Sequence, residues 1–393
     1  MQVVVFLLLV AVLLAKVIVV ALSGLTDVPG ETVPGESAQW WELGTRVAQG
    51  DWGLRPNGDE TWEPLYPWLI GLLQRTTPRP MLVLMCLQTF LWTATMVIVS
   101  SLCGQLARRP AAPFLAIGVA IVSLTSLLWA TSVSPVSLFA FLLVVHAWQL
   151  VMLVHRPSVG RSILAAISLG LLALTNQNAC WLGLIDFVFI VASLVWPMPG
   201  DRVRRLWVTT CVGGLLLFLP IAGVLYLSPS TNPDRTWPMR LYEEVTTKPS
   251  LFGKQWALQA AEYWQAESKW IPQQFESEKE EAENPSDWSI NIPYLEEVIR
   301  FRLSQFRVAN ACFALVAAAS LVWMMCSRAT RPAGIWLTGV LAFFQTLTGY
   351  LGEPVFVDRV GVEPLVLTVI LVAVSMLAFE TKKKQAGQPG NPS

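Results

Sequence analysis

Ten apolar stretches, separated by connections that are basic at every second position, leave this chain very few ways to fold. They cover 2–22, 81–106, 113–130, 135–154, 162–177, 181–196, 206–227, 308–326, 333–351 and 364–380. A helix needs about 20 mostly apolar residues to cross a hydrocarbon core, and these runs approach that length. The basic connections are Arg108 and Arg109, then Arg156 and Arg161, then Arg202, Arg204 and Arg205, then Arg328 and Arg331, then Lys382, Lys383 and Lys384. Such a bias orients membrane helices with the basic side in the cytoplasm. Composition agrees: of 393 residues, 54% are apolar and 14% charged, against about 25% charged in a soluble domain. The expected fold is therefore an all-α integral membrane protein, a polytopic bundle of about ten transmembrane helices with outer-face amphipathic helices and one large outer loop. One membrane domain spans 1–380, and a basic cytoplasmic tail covers 381–393.

The parity places both termini in the cytoplasm and three segments outside, 23–80, 228–307 and 352–363. The hairpin 162–196 has the shortest arms, and reading it as one span would invert everything after it. The first stretch could instead be a signal peptide, with Ala21 and Ser23 at a small-residue site, but it lacks a basic n-region and exceeds the usual 7–15-residue apolar core. Lysine plus arginine (27) equals aspartate plus glutamate (27), so total charge gives no reason to expect a nucleic-acid partner. The six cysteines lie in or beside apolar runs, and with two histidines in the chain no cluster has zinc spacing. No disulfide framework is legible.

In the first outer segment, the text GESAQWWELGTRVAQG after Pro34 has helical spacing, with Glu36, Trp40, Leu43 and Val47 on one stripe. Glu42 and Arg46 stand i,i+4 in the favourable order for a solvated pair. Trp40 and Trp41 suit a helix at a lipid interface. Glu36 has two readings: an acid complementing the dipole of a helix's first turn, or a carboxylate that binds a metal or takes a proton from an acceptor hydroxyl. In the large outer segment, Trp256, Ala260, Tyr263, Glu267 and Trp270 share a stripe of an expected amphipathic helix, and ESEKEEAE from Glu276 to Glu283 reads as a solvated face. Inside the apolar runs, Lys16, His146 and Asp186 are ionisable groups where such groups are expensive.

The order of a first span, the outer acid Glu36, Trp40 four residues on, Gly50 fourteen residues on, and the run WEPLYPWL from Trp62 to Leu69 resembles the GT-C superfamily of polyprenyl-phosphate-sugar-dependent glycosyltransferases, which includes protein O-mannosyltransferases and lipid A aminoarabinose transferases. Two later segments add to the likeness. GLLALTNQNACWLG keeps Thr175 of the family's Leu-Thr-Arg-Pro helix end, with Asn176 and Gln177 in place of Arg-Pro. DRVGVEPLVL carries Arg359, Glu363, Pro364 and Leu365 of the family's text before the last span. The family commonly has Asp at the place of Glu36 and Tyr at that of Trp40, and many members have a second acid where this chain reads ATSVSPVS, from Ala130 to Ser137.

The resemblance implies transfer of a sugar from a polyprenyl-phosphate donor to a lipid, glycan or protein acceptor on the outer face of a bacterial inner membrane. It implies Glu36 as the catalytic carboxylate and Arg359 at the donor phosphate, with Arg46 and Arg55 as alternatives. Trp40, Asp59, Glu60, Glu63 and Tyr66 are candidates for the acceptor or sugar pocket, although Pro64 and Pro67 could simply turn an interfacial segment there. A divalent cation is a candidate cofactor, and no confident set of metal ligands is legible. Two other classes stay open: a transporter or lipid flippase using Lys16, His146 and Asp186, for which internal repeats would be expected and none is found, and a noncatalytic scaffold of the same superfamily.

Overall fold

A computed structural model of the chain describes residues 36–54, 63–107, 133–176, 179, 182–194, 317–326, 334 and 336–341. Among the described residues all regular structure is helical and no strand occurs. The helices are α1 (Glu36–Ala48), α2 (Leu65–Thr76), α3 (Pro80–Ala107), α4 (Val136–His155), α5 (Val159–Thr175), α6 (Leu182–Leu194) and α7 (Ala317–Cys326), with a further helical segment at 336–341.

Local chemistry explains where these helices begin. Proline has no backbone N–H to lose in a first turn, where those groups lack intrahelical partners anyway. Pro64 accordingly caps α2 with Pro67 in its first turn, Pro80 opens α3, and Pro135 caps α4. At α5 the cap is Ser158, whose hydroxyl accepts the Arg161 backbone N–H. The turn of Arg156 to Ser158 separates α4 from α5, and residues 176–181 separate α5 from α6. The expected hairpin 162–196 is thus two helices, of 17 and 13 residues.

Among the described residues two helices are long and apolar enough to cross a membrane, Pro80–Leu106 and Val136–Leu153. They fall on the expected stretches 81–106 and 135–154. α3 is apolar all round, as a helix in lipid can be, and its large exposed side chains Val83, Phe90 and Val97 recur every seven residues along one face. α5 and α6 likewise expose Ile163, Leu164, Ile167, Phe187 and Val188. The stretches 2–22, 113–130, 206–227 and 364–380, and the outer segment 228–307, lie outside the described residues.

α1 packs along α2, α2 on the start of α3, α3 on α4, and α4 on α5 and α6. The main apolar cluster runs through Leu102, Phe139, Leu143, Leu150, Leu169, Leu172 and Phe189 and takes in Met324 and Trp336. A smaller cluster around Tyr66, Ile70, Leu84 and Met85 joins the α1–α2 hairpin to the bundle.

Candidate functional site

The segment that carries the resemblance folds, over residues 36–76, as a tight helical hairpin. Where α1 crosses α2 the backbones meet at glycines. A Cβ added at Gly71 would stand 2.6 Å from the Val47 Cβ and 2.8 Å from the Gly44 carbonyl, and one at Gly44 would stand 2.6 Å from the Ile70 Cβ. Real Cβ contacts do not come so close, so only glycine permits this approach. α1 then ends in a turn through Gly50, whose φ of 110° is open to glycine and costly for other residues.

Polar links pin the open edge of the hairpin. Arg75 on α2 donates from Nε to the Ala48 carbonyl at 2.7 Å and lies over the Trp52 ring, 5.4 Å from its centroid. The Trp68 indole donates to the Trp52 carbonyl at 3.0 Å. Arg46 donates from both Nε and Nη2 to the Asp51 carboxylate, at 3.1 and 2.7 Å. The ion pair of Arg46 is therefore with Asp51, in place of the expected i,i+4 pair with Glu42. The Gly50 turn brings the Asp51 carboxylate back to the guanidinium, and Glu42 stays exposed.

On the inner side, Trp40 meets Tyr66 edge to face, with ring centroids 5.9 Å apart and planes at 84°. The Tyr66 hydroxyl accepts from the Gln88 amide of α3 at 3.0 Å, and the same amide donates to the Ser134 carbonyl at 2.8 Å, just before α4. Burial pushes the Tyr66 phenol well above the ordinary tyrosine range, with a hydrogen bond to the Ser134 backbone acting the other way. Trp40, Tyr66 and Gln88 thus form one line from the outer helix into the bundle.

Of the candidate residues, the structure brings Trp40 and Tyr66 together, places Glu36 as the first residue of α1, and places Glu63 just before the cap of α2. The Glu36 side chain lies outside the described residues, as do Arg55, Asp59, Glu60 and Arg359. Among the described residues no group of three or more His, Cys, Asp or Glu side chains gathers where it could hold a metal ion.

A second polar assembly lies inside the bundle. His146 on α4 and Asp186 on α6 are fully buried, and Nε2 and Oδ2 are 2.8 Å apart. The other carboxylate oxygen accepts from the Trp336 indole at 2.8 Å. The second ring nitrogen of His146, Nδ1, is 2.8 Å from Ser168 Oγ and 3.2 Å from the Ala165 carbonyl on α5. Sequence reasoning named His146 and Asp186, with Lys16, as ionisable groups within the apolar runs and did not foresee their direct contact. The available signal was two ionisable residues in apolar runs, since a buried charge needs a partner.

No protein-family model matches this chain, and neither does any curated protein.

Proposed function

We propose that this chain is an inverting glycosyltransferase of the GT-C type, a multi-pass protein of about ten helices in a bacterial inner membrane. In this reading it moves a sugar from a polyprenyl phosphate to an acceptor on the outer face. The observation that supports it best is the seating of the outer hairpin. An amphipathic helix that begins at the required acid, Glu36, packs through Trp40 on Tyr66 of the WEPLYPWL run, and Tyr66 is tied to the next long helix by Gln88. A carboxylate residue at the first position of a helix anchored on the bundle is well placed to stay fixed at the membrane surface.

In the proposed reaction Glu36 takes the proton of the acceptor hydroxyl as its oxygen attacks the anomeric carbon. The bond from that carbon to the phosphate oxygen breaks, and polyprenyl phosphate leaves from the opposite face, so one displacement inverts the centre. Guanidinium groups neutralise the growing phosphate charge through paired N–H donors. We assign this role to Arg359, with Arg46 and Arg55 as alternatives, and the acceptor or sugar pocket to Trp40, Asp59, Glu60, Glu63 and Tyr66. If a divalent cation takes part, Glu36 is the acid that would hold it.

The test is transfer of radiolabel from a panel of polyprenyl-phosphate sugars by the purified protein in native lipids, with Glu36→Gln alongside. Turnover in the wild type that is lost in the variant is expected. Donor binding without turnover would move the assignment to a noncatalytic scaffold. A second reading, transporter or lipid flippase, is favoured by the buried His146–Asp186 pair, because ionisable groups inside apolar helices commonly mark transport paths. Neither turnover nor donor binding, together with substrate movement in vesicles, would establish that reading instead.

A further inference from the structure

We propose that His146, Ser168 and Asp186 form a proton-binding site inside the bundle, able to load and release one proton without leaving any of its polar groups unpartnered. The inference rests on neither reading of the function. It follows from the hydrogen-bond geometry.

The indole N–H of Trp336 can only donate, so Asp186 Oδ1 accepts it at 2.8 Å. Asp186 Oδ2 and His146 Nε2, 2.8 Å apart, hold one proton between them. What differs between states is the other ring nitrogen. Nδ1 faces a carbonyl, Ala165 at 3.2 Å, which can only accept, and a hydroxyl, Ser168 at 2.8 Å, which can do either. The Ser168 hydroxyl is itself 2.8 Å from the Ala165 carbonyl.

With Nδ1 bare, the Ser168 hydroxyl turns its hydrogen to the ring. With Nδ1 protonated, the ring donates to Ser168 and Ala165, and the hydroxyl turns its hydrogen to the Ala165 carbonyl. Rotation about one C–O bond therefore serves both states. A purely structural His–Asp contact needs no such rotor.

Among the described residues, Ser168 and the Ala165 carbonyl from α5 and Asp186 from α6 face the imidazole, and Trp336 faces the carboxylate. Cys103 of α3 belongs to the apolar cluster that also holds Trp336. Loading adds one positive charge to a fully buried pair, where local charge has a long reach. The site joins α4, α5, α6 and the 336–341 segment, so its proton count bears on how those elements hold together.

The test uses the full chain in lipid nanodiscs with isotopically labelled histidine, assigned with His155→Gln, the chain's other histidine. Nitrogen resonances are followed as pH falls through about 8 to 5, the interval in which histidine ordinarily titrates. The expected result is that Nδ1 of His146 passes from acceptor to donor and that the Trp336 indole resonance, assigned with Trp336→Phe, moves with the same midpoint. Ser168→Ala removes the one hydroxyl that partners Nδ1 in both states, as donor to the bare ring and as the nearer acceptor of the loaded one, so the Nδ1 resonances and their midpoint depart from those of the wild type. One unchanging set of His146 resonances in the wild type overturns the site. Ser168→Ala resonances and midpoint that match the wild type overturn the rotor.

Discussion

In the α1–α2 hairpin the closest contacts are steric, Gly44 against Ile70 and Gly71 against Val47, and the polar links sit at an exposed rim. Where α4, α5, α6 and the 336–341 segment meet, the closest contacts are polar and wholly enclosed. The two regions show two ways to fix helices against one another. Gly44 and Gly71 leave one crossing point and leave polar side chains at the rim in water. His146 and Asp186 instead commit charged chemistry to a dry interior, where a group that loses its partner cannot turn to water. The contrast predicts that equivalent-looking polar deletions will differ several-fold in cost between the regions.

The largest effect is expected from Asp186→Leu. It leaves His146 Nε2 and the Trp336 indole facing apolar carbon, and breaking one side of a buried pair costs about 3–5 kcal/mol. Thermal unfolding in nanodiscs reads this out. Asp186→Asn keeps an acceptor for one donor and falls between Leu and wild type. A loss under about 1 kcal/mol for Asp186→Leu would show that the junction is no more enclosed than the rim.

Next is Gly71→Ala, the steric counterpart. The new methyl would sit 2.6 Å from the Val47 Cβ, and overpacking of this kind costs about 1–3 kcal/mol. The hairpin carries the strain, so protease cleavage within 36–79 should rise while the bundle melts as before. Val47→Ala in the same chain recovers part of the loss. The recovery is incomplete because Val47→Ala leaves its own Cβ in place and the Gly44 carbonyl, 2.8 Å from the new methyl, also stays.

What the sequence made legible follows the same division. The bounds of α3 and α4 could be read to within a residue or two because apolarity sustained over about 20 residues marks a helix long and apolar enough to cross a membrane. The α1 stripe was legible through Trp40 and Val47, which recur at helical spacing and do turn inward. The partner of Arg46 was not, because helical spacing offered Glu42 and gave no sign that the chain reverses at Gly50 to present Asp51. The His146–Asp186 contact joins residues 40 positions apart across two helices. Periodicity describes one helix at a time and carries no information about which faces meet. Gly44 and Gly71 lay within readable helices, but their close approach is a property of the crossing, which the sequence of neither helix specifies alone.

Tyr66→Phe probes the line between the two regions and should cost about 1 kcal/mol. The Gln88 amide loses the Tyr66 acceptor of one N–H and keeps the Ser134 carbonyl, at 2.8 Å, for the other. The pH dependence has a definite sign. The folded phenol is held above tyrosine's ordinary value of 10.0, so below that value both folded and unfolded states are protonated and the full stability is present. As pH rises past it the unfolded chain gives up its proton first, and stability falls. In Tyr66→Phe this part of the alkaline decline disappears, measurable as a flatter unfolding temperature against pH.

The smallest effect is expected from Arg46→Ala, and it bears most directly on function. The Arg46–Asp51 pair has side chains 29% and 44% exposed, so solvent screens it and its loss should change stability by at most about 0.5 kcal/mol, less again in high salt. Asp51 retains its contact with the Leu54 backbone N–H, at 3.3 Å, so the turn after α1 keeps its shape. Stability and donor use can then be separated in one variant. An unchanged unfolding temperature with a raised KM for the polyprenyl-phosphate donor would assign Arg46 to the phosphate, its pairing with Asp51 being a resting arrangement that the donor displaces. If both stay unchanged, Arg46 is a rim contact like Arg75, and the phosphate charge falls to Arg359 and Arg55. Because the hairpin is held by its glycines and by Trp40 on Tyr66, its rim arginines are free to exchange partners without loosening the fold, which the enclosed pair in the bundle cannot do.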